Sequence, residues 1–268
     1  MFKKIFFVLS ALALCAVSAR AEKIVVEGST TVLPIAQKAA EVFMGKNPSA
    51  DISVRGGGSG VGIASLLDKS CNIADSSRAI KDTELDKAVT NGVDPKAYVI
   101  AMDGIAVIVN PANPVSALSK KQLKDIFTGK ISNWNQVGGS DEKIVVVSRD
   151  TSSGTFEAFG ELALNKEKVR ADALMQASNQ AVASVVEKTN GAIGYVGLGY
   201  VTSSVKALPI DGVVASKDSV LTNKYSIGRP LFMYTNGAAK GLAKEFIDFI
   251  LSPEGQKIVD GEGFVALK

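Results

Sequence analysis

Short apolar runs alternate with amphipathic stretches along most of the chain. Residues 23–27 (Lys-Ile-Val-Val-Glu) form a short run typical of a strand, residues 28–31 (Gly-Ser-Thr-Thr) are polar, and apolar residues then recur at helical spacing between Val32 and Phe43. This order predicts a strand, a turn and a helix, with Pro34 in the first helical turn, where its missing N–H costs nothing.

The same order recurs further along the chain. Strands are predicted at residues 51–55, 72–74, 106–109, 143–148, 192–196 and 231–234, and helices at residues 61–67, 120–127, 156–164 and 240–251. Strands that alternate with helices indicate an α/β fold with a mostly parallel sheet and helices on both of its faces. Ligands of such folds bind where loops leave the carboxyl ends of the strands.

Residues 1–21 have the pattern of a secretory signal peptide. Two lysines precede the apolar residues 5–17, and Ala19 and Ala21 offer small side chains at the spacing that a signal peptidase recognises. The apolar segment is shorter than the roughly 18 to 20 residues that a membrane-spanning helix needs. We therefore expect cleavage after Ala21 and export to the periplasm. Lipid attachment at Cys15 is the less favoured alternative, because Leu14 stands where a small residue is expected.

Without residues 1–21, the chain carries no excess of positive charge. The chain has 30 lysines and arginines and 27 aspartates and glutamates; residues 1–21 hold three basic and no acidic residues, which leaves 27 of each. The balance therefore gives no support for nucleic acid or an anionic membrane as a partner. Cys71 would be the one remaining cysteine, so an internal disulfide is excluded and a buried thiol is expected. Because the chain has no histidine, a Ser-His-Asp triad and an imidazole zinc site are excluded, and we expect no metal or cofactor.

Four predicted loops at strand ends are rich in hydroxyl and backbone donors. They are residues 28–31, the glycine-rich residues 56–60, residues 75–78 (Asp-Ser-Ser-Arg) and residues 149–155 (Arg-Asp-Thr-Ser-Ser-Gly-Thr). Free N–H groups at a helix start attract anions, glycines let the backbone approach a ligand, and arginine offers five donors in a planar fork. Each loop taken alone also fits an ordinary capping or surface turn. Their recurrence at equivalent positions favours a site for a compact anion with several oxygens.

These motifs resemble those of the phosphate-binding proteins of Pst-type ABC transporters, a family of two-lobed periplasmic binding proteins. The similar motifs keep the family's order along nearly the whole chain after residue 21, and lie at residues 28–31, 57–60, 76–78, 103–106, 131–134, 149–155 and 191–195. The resemblance implies a type II periplasmic binding protein with the ligand in the interlobe cleft. Lobe one would comprise residues 22–103 and 228–268, and lobe two residues 104–227.

The resemblance also implies which residues contact the ligand. The residues expected at the anion are Ser29, Thr30, Thr31, Ser59 and Ser77 in lobe one, and Arg149, Ser153, Gly154 and Thr155 in lobe two. In some members a carboxylate stands where this chain has Ser77, and it accepts the proton that phosphate keeps near neutral pH. Asp103, Asp75 and Asp150 are the candidates for that role here, and Asp103 is favoured because it lies at the proposed crossing between the lobes. Arg78 is expected to pair with Asp75 or another carboxylate rather than with the ligand.

The expected function is capture of inorganic phosphate by an exported monomer, which delivers it to the membrane permease of an ABC transporter without catalysis. Sulfate or molybdate as the ligand, and a phosphate-sensing or adhesion protein of the same fold, are the alternatives. A phosphatase with carboxylate-bound metals is a further alternative, which turnover of a phosphomonoester in the presence of divalent metals would reveal. Titration with phosphate, sulfate and molybdate would show which oxyanion binds. Phosphate uptake by a deletion strain would distinguish transport from sensing.

Overall fold

The computed structural model describes residues 22–267. Within that range the chain forms nine β-strands and nine α-helices, and most of them alternate as the hydrophobic pattern predicts. None of the helices in this range is long and apolar enough to cross a membrane. The predicted signal peptide and Cys15 lie outside the described residues.

The strands are β1 (Glu22–Gly28), β2 (Ala50–Gly56), β3 (Ile73–Ser76), β4 (Pro95–Val109), β5 (Val145–Arg149), β6 (Leu174–Gln176), β7 (Ala192–Gly197), β8 (Lys206–Leu208) and β9 (Gly228–Asn236). The helices are α1 (Leu33–Lys46), α2 (Ser59–Leu67), α3 (Asp82–Thr90), α4 (Lys120–Phe127), α5 (Gly154–Leu162), α6 (Asn179–Lys188), α7 (Lys217–Leu221), α8 (Gly241–Leu251) and α9 (Pro253–Gly261). The helix predicted at residues 120–127 is confirmed residue for residue. The strand predicted at residues 106–109 is the last part of β4, which begins eleven residues earlier, at Pro95.

Parallel pairing is confined to the strands on either side of a central antiparallel region. β1 pairs in parallel with β2 and β3, and β5 pairs in parallel with β6 and β7. The remaining strand pairs are antiparallel and all involve β4 or β9. The α/β fold with helix-flanked sheets is confirmed. The expectation of a mostly parallel sheet holds for the outer strands but not for β4 and β9, whose long-range pairing the local pattern does not encode.

β4 is shared by two hydrophobic cores. Its first part pairs with β9 from Pro95 to Gly104, and its last five residues pair with β7 instead. One core lies around β1, β9, α1 and α8, and the other around the end of β4, β7, α4 and α5. The fold is therefore two-lobed, and the lobe boundaries after Asp103 and Ile227 stay a prediction.

Trp134 anchors the second core. Its side chain is 1% exposed, and the indole N–H donates to the Gly191 carbonyl oxygen at 2.9 Å. Nearby, the rings of Phe159 and Tyr195 stack with centroids 4.0 Å apart and planes 8° from parallel. Large aromatic side chains contribute most to such a core when their polar atoms are also paired. The core therefore fixes β7 against α5, the helix that begins at the candidate site.

We expect Trp134→Ala to lower the free energy of unfolding by about 3 to 5 kcal/mol, because it removes a buried aromatic ring and leaves a cavity. Val89→Ala is the matched control, since Val89 is 80% exposed on α3, and should change that energy by less than about 0.5 kcal/mol. Urea unfolding followed by circular dichroism measures both. Equal stability of the two variants would contradict the assignment of Trp134 to the core.

Candidate functional site

Hydroxyl groups from both lobes meet where the predicted loops leave β1, β2, β3 and β5. Thr31 Oγ1 lies 3.0 Å from Thr155 Oγ1, which joins the loop after β1 to the start of α5. Ser59 Oγ accepts a hydrogen bond from the Ser77 N–H at 3.0 Å and lies 3.3 Å from Ser77 Oγ. All four side chains are buried. The structure therefore brings these predicted residues together.

The N-terminus of α5 faces the lobe-one hydroxyls at close range. Ser153 caps this helix, since its Oγ accepts hydrogen bonds from the N–H groups of Thr155 and Phe156, both at 3.2 Å. A Cβ atom at Gly154 would lie only 2.3 Å from Ser59 Oγ, so a larger residue does not fit between the lobes here. The partial positive charge of a helix N-terminus attracts anions. These donors are therefore placed to hold a small anion.

Ser29 and Thr30 have different surroundings, although they are neighbours. Ser29 Oγ accepts from the Thr31 N–H at 3.1 Å and from the Val32 N–H at 3.4 Å, so its hydroxyl orders the start of α1. Thr30 Oγ1 instead accepts from Asn179 Nδ2 at 3.1 Å. Both side chains are buried. The hydroxyl of Ser29 therefore bonds within its own stretch of chain, whereas that of Thr30 bonds to α6.

Arg149, the last residue of β5, is 1% exposed. Its Nε donates to the Gln176 carbonyl oxygen and its Nη2 to that of Ala177, both at 3.0 Å, and its backbone N–H donates to the Tyr195 hydroxyl at 3.2 Å. Its Nη1 has no hydrogen-bond partner within residues 22–267. Burial lowers the pKa of this guanidinium, and the charge of Asp150 opposes that effect. The side chain is thus fixed, and one of its nitrogens remains for a ligand.

Arg229 is a second buried guanidinium, which the sequence analysis did not select. Its Nη2 contacts Thr155 Oγ1 at 3.0 Å and Thr31 Oγ1 at 3.3 Å, and its Nη1 donates to the Ser77 carbonyl oxygen at 3.0 Å. It also forms an ion pair with Asp103, with Nη2 and Oδ2 2.8 Å apart. The signal available in the sequence was an arginine at the start of an apolar strand. Arg229 was missed because the strand was predicted to begin at Leu231, whereas β9 begins at Gly228.

Asn179, the first residue of α6, is the other residue that sequence reasoning missed. Its Nδ2 donates to the hydroxyl oxygens of Thr30 and Thr31, both at 3.1 Å, and its Oδ1 accepts from the Gly197 N–H at 3.2 Å. The side chain is fully buried. Nothing in the local sequence distinguishes this asparagine from an ordinary residue at a helix start. Its role depends on contacts with residues about 150 positions away.

The three candidate carboxylates have different partners. Asp103 Oδ1 accepts from the Leu198 N–H at 2.9 Å and Oδ2 accepts from Arg229; burial raises the pKa of Asp103, and Arg229 works against that rise. Asp150 Oδ1 accepts from the Ser152 N–H at 2.9 Å. Asp75 is 1% exposed, and neither of its carboxylate oxygens has a hydrogen-bond partner in the described part of the chain.

Arg78 was expected to pair with Asp75 or with another carboxylate, and the second alternative is the one found. Arg78 pairs with Glu84 and Glu157, at 2.7 Å and 2.6 Å, and not with Asp75. Without a cation beside it, burial raises the pKa of Asp75 well above its ordinary value.

Comparisons with known proteins agree with this fold. A family model described as a PBP superfamily domain matches residues 16–254. The phosphate-binding protein PstS of Bacillus subtilis is 40% identical over 245 residues, which cover 90% of this chain and 79% of the relative. PstS of Borreliella burgdorferi is 34% identical over 260 residues, 92% of this chain and 91% of the relative.

Solved structures give the same result. A Clostridium perfringens protein described as a phosphate ABC transporter substrate-binding protein with bound phosphate has a TM-score of 0.87 and 37% identity, and the match covers 92% of this chain and 100% of that one. An ABC-type phosphate transport receptor from Vibrio cholerae has a TM-score of 0.75 and 32% identity, over 91% of this chain and 100% of that one. The chain belongs to the PBP superfamily and, within it, to the PstS family of phosphate-binding proteins.

The environment of Asp75 predicts a pH-dependent stability. Because its pKa in the folded protein lies above that in the unfolded chain, the folded state holds the proton more tightly. Stability is therefore full below about pH 4, the ordinary range of the group, and falls as pH rises towards the folded-state pKa. We expect Asp75→Asn to raise the melting temperature at pH 7 to 8, with a gain that shrinks towards pH 4.

Asp68→Asn, at an exposed position after α2, is the control and should leave the pH profile unchanged. Thermal unfolding in phosphate-free buffers between pH 4 and 8 measures both variants. A wild-type profile that is parallel to that of Asp75→Asn would show that folding does not raise the pKa of Asp75.

Proposed function

We propose that this protein captures inorganic phosphate in its interlobe cleft and delivers it to the permease of an ABC transporter. The observation that carries the proposal is the buried Arg149, whose Nη1 has no partner within residues 22–267. Arg149 ends the strand that leads into the capped N-terminus of α5, and Thr155 of that helix contacts the hydroxyl of Thr31 from the loop after β1. The names of the relatives and the phosphate bound to the Clostridium perfringens neighbour support phosphate as the ligand.

The ligand contacts that we propose follow from these groups. They are Ser29, Thr30, Thr31, Ser59, Ser77, Arg149, Ser153, Gly154 and Thr155, with Ser29 acting through the loop that it orders. Arg229 and Asn179 hold the hydroxyls of Thr31 and Thr155 in place. Arg229 is paired with the Asp103 carboxylate, so Arg149 is the guanidinium that keeps a nitrogen without a partner within residues 22–267, which suits a compact oxyanion.

The remaining parts of the proposal concern how the protein works in the cell. It is an exported monomer, and its signal peptide, residues 1–21, is removed on export. It binds without turnover. In the range that the structure describes, no group of three or more acidic or cysteine residues is placed to hold a metal ion. We expect that incubation with a phosphomonoester and divalent metals releases no phosphate, which tests the alternative of a metal-dependent phosphatase.

Phosphate binding is tested first by calorimetry and thermal unfolding of protein stripped of carried-over ligand. Millimolar phosphate should raise the melting temperature and chloride should not, because a ligand of the folded state adds about 2.7 kcal/mol at a hundredfold excess over Kd. Arg149→Ala should weaken binding by about tenfold or more, and Arg149→Lys by less, because lysine restores the charge without the planar fork. Arg55→Ala, at an exposed position on β2, is the control. An unchanged melting temperature for the wild type would overturn the proposed function.

Selectivity between phosphate and sulfate is tested at Asp103. The two ions are similar in size, but phosphate keeps a proton near neutral pH that a buried carboxylate can accept. Asp103→Asn removes that carboxylate and also leaves Arg229 without its counter-charge, which favours the doubly charged sulfate. We expect weaker phosphate binding and a narrower gap between the phosphate and sulfate affinities, measured by calorimetry. Asp150→Asn should keep the gap, and full phosphate preference in Asp103→Asn would exclude Asp103 as the selector.

A further inference from the structure

Glu157 forms ion pairs that cross from lobe two to lobe one. It lies in the first turn of α5, and its side chain is 17% exposed. Its Oε2 is 2.6 Å from Arg78 Nε, and its Oε1 is 2.8 Å from Lys81 Nζ. Both cations follow β3 in lobe one. No role in ligand contact accounts for this carboxylate.

The lobe-one side of this contact is assembled independently of Glu157. Arg78 donates from Nη1 and Nη2 to the two carboxylate oxygens of Glu84, at 2.8 Å and 2.7 Å, and the backbone N–H of Lys81 donates to Glu84 Oε2 at 2.9 Å. Although burial by itself would raise the pKa of Glu84, the hydrogen bond from Arg78 holds that pKa below its usual range. Arg78 therefore keeps a bidentate partner whether or not the lobes touch, while the ion pairs of Glu157 exist only when they do.

The position of Glu157 is unexpected for a site that holds an anion. Thr155, two residues earlier on α5, belongs to the proposed phosphate contacts, and a negative charge in the same helical turn opposes the binding of an anion. The two lobe-one cations offset that repulsion only while the cleft is shut. The carboxylate thus disfavours the anion in an open cleft and stabilises the closed one.

We propose that Glu157 is a latch that holds the two lobes together over the bound anion and sets how long the anion stays, without touching it. This inference rests on the proposed function. Apparent affinity is the intrinsic affinity scaled by the fraction of molecules in the binding-competent form, so a residue that acts only on closure changes affinity through that fraction. Glu157 acts as a positioning residue, and its partners are Arg78 and Lys81.

The central experiment compares Glu157→Gln with Glu161→Gln, measured by calorimetry and by stopped-flow phosphate release. Glu161 is one turn further along α5 and its side chain is 65% exposed, with Lys166 of the same lobe at 3.8 Å. Glu157→Gln should weaken phosphate binding by about three- to tenfold, mainly through faster dissociation, and Glu161→Gln should have no effect. If Glu157 acted only as a nearby negative charge, its removal would tighten binding, which is the opposite sign.

Lys81→Gln provides an independent second variant. The latch predicts that it also weakens binding, and that the double variant Glu157→Gln/Lys81→Gln loses less than the sum of the two single losses, because both remove the same pair. Small-angle scattering should show a larger radius of gyration for phosphate-loaded Glu157→Gln than for the loaded wild type. Without phosphate, the melting temperatures of both single variants should match the wild type, which excludes a folding defect.

The outcomes separate the latch from the function on which it rests. A wild type that does not bind phosphate overturns the proposed function. A wild type that binds, together with Glu157→Gln that binds equally well or more tightly, overturns the latch alone. Strictly additive losses in the double variant, or a loss that reappears in the ligand-free melting temperature, would also overturn it.

Discussion

Asp103 and Arg229 face each other on neighbouring strands, at the place where β4 and β9 pass between the lobes. Two buried charges are stable only when they pair and when their remaining donors and acceptors are satisfied. The other donors of Arg229 meet that requirement at Thr31, Thr155 and the Ser77 carbonyl group. A single guanidinium therefore fixes the first loop, the loop after β3 and the start of α5 relative to the crossing strands, and the geometry of the cleft depends on it.

The rest of the site consists of donors that are held in place before a ligand arrives. Carbonyl groups at residues 176 and 177 orient Arg149, and the Tyr195 hydroxyl accepts from its backbone N–H. Tyr195 is in turn fixed by its stacking on Phe159, so the second core orients the arginine directly. Such preorganisation reduces the entropy that an anion must otherwise offset when it binds.

The parts of this protein that the sequence predicted are those encoded locally. The strands β1, β2 and β5 are each followed by a loop and a helix, as predicted. A polar turn between a strand pattern and a helical pattern specifies that order without reference to other segments. The loops that hold Thr31, Ser59, Ser77 and Thr155 were found because strand ends of an α/β fold converge, and the resemblance to the phosphate-binding family selected these residues within them. The length of β4, the antiparallel pairing with β9, and the roles of Arg229 and Asn179 depend on contacts between residues more than 100 positions apart. No local pattern encodes them.

The position of β9 has a consequence for the order in which the molecule can be built. β9 lies between β3 and β4 in the sheet, and β3 pairs with β9 rather than with β4. A chain that emerges N-terminus first therefore exposes unpaired edges on β3 and β4 until residue 236 has appeared. The strands of lobe two all precede β9 and can pair while synthesis or translocation is still under way. The sheet of lobe one is thus completed last although its sequence comes first, and a nascent chain stopped before residue 228 retains two open sheet edges, which are prone to pair with other chains.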